Sequence, residues 1–167
     1  MLWFLATISA ASPMNEALEQ IRADDESLAE ALHALLAVTI SHDQDADAPL
    51  LTETMVVSVA GIDAMATESD LSDSCHHLAL GAARHHYVGL VSRVRAPDEM
   101  DEFEADILME ILHEKFHPQF HGVYDLAMTH LSVAALADDP CGTAAVDLLG
   151  NMPAIAGRGV GANPSKR

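Results

Sequence analysis

The residues best suited to chemistry in this chain lie together at Glu110-Ile-Leu-His113-Glu114-Lys115-Phe116-His117. On a helix, two histidines four positions apart stand on one face, and both imidazoles can reach a single zinc ion. The carboxylate beside the first can then polarise a zinc-bound water as general base. A third protein ligand is needed. Pro118 pushes the residue before it away from helical dihedrals, so a helix is expected to end near His117 and the chain to turn there. His121 is the first candidate to fold back toward the same ion, with Asp125 and His130 behind it.

The His-Glu-x-x-His pattern at 113–117 resembles the active-site helix of zincin metallopeptidases. That resemblance implies a zinc-dependent hydrolase with His113 and His117 as ligands and Glu114 as base. It covers five residues, and Lys115 puts a charge where such helices carry an uncharged residue. Glu110-x-x-His113 and Glu114-x-x-His117 also have the ligand spacing of di-iron four-helix bundles, with Asp73-x-x-His76 as a second such element, but nothing ties further inward glutamates to the site. His77-Leu-Ala-Leu-Gly81-Ala-Ala is similar to the phosphorylatable helix of histidine phosphotransfer domains in its His-to-Gly spacing, with Leu80 where those domains carry lysine. There is no Gly-rich phosphate loop, no serine nucleophile elbow and no interleaving of aromatic with basic residues.

The elements that must position these groups are helices. Apolar residues recur at three- and four-residue steps, and Pro and Gly fall mostly where helices end. The expected fold is all-α, a compact single-domain bundle of about six to seven helices over 1–156, followed by a flexible tail at 157–167. The first helix spans about 14–22, and a second starts at Asp24-Asp25-Glu26-Ser27 and carries Leu28, Leu32, Leu35 and Leu36. Pro49 opens a third through Met55, Val59, Ile62 and Met65. Ser69 or Asp70 caps a fourth, about 70–95, which is expected to be central. A fifth spans about 98–117, a sixth 120–137 and a short seventh 143–149.

Helix geometry also sorts the histidine doublets. At about 100° per residue, His76, His77, His85 and His86 point four ways, so they cannot chelate one ion from a single helix. His76 and His86 fall on the apolar arc and are expected either to bond a carboxylate or carbonyl in the core, or to serve a site shared with another helix. Asp70, Ser74, His77, Gly81, Arg84, Ser92 and Arg95 form the polar stripe.

Charge limits the partners. The 167 residues hold 8 Lys and Arg against 26 Asp and Glu, a formal net charge of −18. Nucleic-acid binders gain affinity from basic residues that release counterions, so direct nucleic-acid binding is excluded, and an anionic membrane would repel the chain. No apolar stretch of about 18 residues is present. The charge is also segregated: 14 acids and the single base Arg22 lie in 14–73, no acid lies in 74–97, and six acids lie in 98–106. The bases of the fourth helix are expected to face acidic neighbours, and the acids of 98–106 to sit at the positive end of the fifth. Scarce lysine and abundant aspartate also suit a chain solvated in strong salt, which would unfold in dilute buffer.

Two function classes follow. One is an acidic helical protein that binds a basic partner surface non-covalently, as inhibitors, immunity proteins and adaptors do, with Asp98, Glu99, Asp101 and Glu102 as the interaction residues. The other is an enzyme using His113, Glu114, His117 and His121, with zinc as cofactor. Cys75 and Cys141, the only thiols, suit a reducing compartment in which neither is paired, hence a cytoplasmic protein.

Overall fold

The computed structural model describes residues 12–38, 48–92 and 101–152, excepting the side chains of 48–54, 105 and 108–119. Every element among them is a helix: α1 (Pro13–Asp24), α2 (Glu26–Leu36), α3 (Ala48–Glu68), α4 (Asp73–Ser92), α5 (Glu102–Ala134) and α6 (Pro140–Gly150). The expected tail and the opening residues 1–11 lie outside this range.

Local chemistry sets the boundaries. Pro13 opens α1, where its missing N–H is no loss, and the chain breaks at Asp25 in extended conformation. The Asp25 carboxylate then accepts the Leu28 N–H at 3.0 Å and caps α2. Asp139 caps α6 in the same way, accepting the Gly142 N–H at 2.8 Å, and Pro140 takes the first helical position.

One expected boundary is absent. The chain does not turn at Pro118; α5 is a single 33-residue helix where two were expected. Proline removes one backbone donor and crowds the preceding turn, a cost of about 3 kcal/mol in a helix interior, but tertiary packing can override it. Here the second half of α5 is pinned by buried Phe120, Tyr124, Ala127, Leu131 and Ala134, so the helix keeps its direction.

Helix α4 is central, as its wide apolar arc implies, and it packs against all five other described helices. Leu78, Ala79, Ala83 and Val88 are fully enclosed. Its polar stripe does not face water throughout: Ser74, Gly81 and Arg84 are buried among α3, α5 and α6. Ser74 Oγ donates to Asp139 Oδ2 at 2.5 Å, one residue before Cys75, which forms a disulfide with Cys141. The two thiols expected to be unpaired are therefore bonded, both fully buried where α4 and α6 begin.

Gly81 permits a close approach of α4 to α5. A Cβ there would stand 2.7 Å from the Leu131 side chain and 3.1 Å from its backbone nitrogen. Gly81→Ala should therefore cost about 1–3 kcal/mol from overpacking, although alanine is the better helix former. A chemical-denaturation midpoint at or above wild type would contradict this close packing.

Candidate functional site

The zinc-ligand segment lies on the unbroken part of α5. His113 and His117 remain one turn apart on a helical backbone; their side chains and that of Glu114 lie outside the described residues. With no turn at Pro118, His121 stays on the same rod, about 12 Å along the axis from His113 at 1.5 Å rise per residue. Folding back toward a shared ion, on which the choice of His121 rested, does not occur. The half-buried His121 instead packs edge-on against Phe120. Among the described residues no group of three or more His, Cys, Asp or Glu is placed to hold a metal ion.

The expected interaction residues divide. Asp98 and Glu99 lie outside the described range, whereas Asp101 and Glu102 are exposed at the start of α5. At 33 residues α5 is about 50 Å long and the 20-residue α4 about 30 Å, so α5 outruns its main neighbour by roughly 20 Å. His77 and Gly81 of α4 meet His130 and Leu131 near the far end of α5. At the opening end, Asp101, Glu102, Glu104 and Asp106 are all exposed. Phe103 is 71 % exposed and Ile107, one turn on, 43 %. Two large apolar side chains four residues apart thus share one face among four carboxylates. Sequence reasoning found the acids but not Phe103, because a single aromatic between acids does not show whether it is covered.

A second polar centre lies inside the bundle. Arg84 reaches across from α4 and grips Asp63 of α3 with both arms, Nη1 to Oδ1 at 2.8 Å and Nη2 to Oδ2 at 2.6 Å. Nη1 also donates to the Leu80 carbonyl at 3.2 Å. Of the bases on this helix, Arg84 does face an acidic neighbour, as the segregated charge implies; Arg93 and Arg95 lie outside the described residues. His77 Nδ1 and His130 Nδ1 are hydrogen-bonded at 3.0 Å, and His76 lies edge-on to His77. Burial, then the positive Arg84 and the neighbouring His77, lowers the His130 pKa, with Asp63 opposing. His86 takes the core role expected of it, with Nε2 2.8 Å from the Val38 carbonyl oxygen. Burial also lowers the His85 pKa, against the pull of backbone at Asn151 and Leu148.

No family model, curated protein or solved structure matches this chain. No described helix is long and apolar enough to cross a membrane.

Proposed function

We propose that this protein works by non-covalent binding, docking a partner with a basic, partly apolar surface onto the opening turns of α5. The observation that carries the proposal is the exposure of Phe103 and Ile107 on one helical face, ringed by Asp101, Glu102, Glu104 and Asp106. The net charge of −18 supplies a long-range field that speeds encounter with a cationic surface. Affinity then comes from enclosing an aromatic anchor in a pocket of the partner. A charged face with no apolar anchor would serve solubility alone.

The place of action belongs to the same proposal. A cytoplasmic setting was expected because two thiols looked unpaired; the Cys75–Cys141 bond removes that premise and favours a compartment that permits disulfides.

The test uses a labelled amphipathic Lys/Leu peptide as probe, with an all-lysine peptide of equal charge beside it, and reads fluorescence anisotropy. The expected result is preference for the Lys/Leu peptide and loss of affinity between 50 and 500 mM salt, as the screening length falls from about 14 Å to about 4 Å. Phe103→Ala should weaken binding at least tenfold, mainly through faster dissociation. Neutralising Asp98, Glu99, Asp101 and Glu102 to Asn or Gln should chiefly slow association. Equal binding of the two peptides, salt-independent affinity, or a Phe103→Ala protein that binds like wild type would overturn the proposal.

A further inference from the structure

The bond between His77 and His130 joins two imidazole nitrogens, and that sets a condition on it. One imidazole must donate its Nδ1–H and the other accept, so a single proton is shared between the facing nitrogens. A metal held by both nitrogens would require their lone pairs to converge on a point off the line between them. Instead the ring centroids stand 5.2 Å apart with planes 29° from parallel, and the nitrogens 3.0 Å apart, leaving about one ring radius on each side. The nitrogens point at each other. The geometry is that of a proton bridge.

We propose that the His77–His130 pair is a proton-operated latch between α4 and α5, closed near neutral pH by one shared proton and opened in mild acid, when both Nδ1 atoms carry a proton. Two N–H groups facing at that distance have no acceptor between them, and two imidazolium charges add repulsion. The groups around the pair reinforce this. On α4 stand His76, edge-on to His77, the cation Arg84 and, one turn before His77, the exposed Asp73; on α3 the acid Asp63 is committed to Arg84 by two hydrogen bonds. From α6, Asp139 accepts from Ser74, one turn before His77, and from its own helix cap. Both of the half-buried carboxylates near the pair, Asp63 and Asp139, are thus committed elsewhere, and Asp73 is left in water, where its charge is screened.

The sign follows from linkage. His130 binds protons less readily in the folded chain than in the unfolded one, so stability rises with pH and is lost as pH falls below about 6.5, the ordinary histidine value. The part that loosens is the last third of α5. The disulfide keeps α4 fastened to α6, whereas Leu131, beside His130, is held against Gly81 by packing alone.

Hydrogen exchange by mass spectrometry on the intact, oxidised chain at pH 7.5 and 5.0, corrected for intrinsic exchange, tests the latch. Segments 77–84 and 127–134 should exchange at least tenfold faster at pH 5.0, with α1 unchanged. His130→Asn keeps an amide near the Nδ1 position without titrating, and should abolish the difference; if that variant fails to fold, His77→Asn takes its place. His85→Gln should leave the difference intact, since His85 is the other half-buried histidine whose pKa is lowered. Independently, imidazole nitrogen NMR of the wild type should show His77 and His130 taking up the second proton as a coupled pair in mild acid. Equal protection at both pH values, pH dependence that survives both asparagine variants or vanishes in His85→Gln, or independent titration of the two rings would overturn the proposal.

Discussion

Reducing Cys75–Cys141, or replacing both residues by alanine, is expected to remove about 4 kcal/mol of stability, the closure entropy of a covalent loop whose ends are 66 residues apart. For a chain of this length that is a fall in melting temperature of roughly 10–15 °C. The loss should be felt most at α6, an 11-residue helix, too short to persist alone. Its start is held by this bond, by Ser74 on Asp139 and by the Asp139 cap. Denaturation with and without a reducing agent measures the effect, and the double alanine protein serves as the control that should not respond to reductant. A midpoint shifted by less than about 1 kcal/mol would mean that packing of Ala144 and Ala145 already suffices.

Asp63→Ala is expected to cost about 3 kcal/mol, toward the lower end for breaking a buried ion pair. The reason is what it leaves behind. The Arg84 side chain is only 10 % exposed, and without Asp63 its charge keeps a single carbonyl partner, Leu80. Arg84→Met should cost less, about 1 kcal/mol, because the Asp63 carboxylate is 35 % exposed and can hydrate once released. Combining the two should recover much of the loss, since the pair is then removed as a unit. If Arg84→Met proves the more damaging change, the buried charge is not what makes the pair costly to break.

Much of the fold was legible in the order of residue types. Leu28, Leu32 and Leu35 of α2 and the wide arc of α4 fix which faces are covered, and Asp25 marks where α2 begins, whereas α6 starts at Pro140, three residues before the expected 143. Pro118 was misleading because a local rule gives the cost of a proline but not the packing that outweighs it. The Arg84–Asp63 pair was legible only as segregated charge. The His77–His130 contact and the disulfide were not legible at all, since each depends on the register of one helix against another 53 to 66 residues away. The expected acids Asp101 and Glu102 are exposed at the start of α5. The exposure of Phe103 beside them could be recognised only once its neighbourhood was known.

The same disulfide also changes the topology of the chain. Residues 75 to 141 form a closed ring that contains the whole of α5. A single cut anywhere inside it leaves one covalent molecule, seen as one mass until reductant separates two. Pulled by its two ends, the protein can never pay out the ring: at about 3.5 Å per residue, more than 200 Å of contour length stays hidden until the sulfurs part.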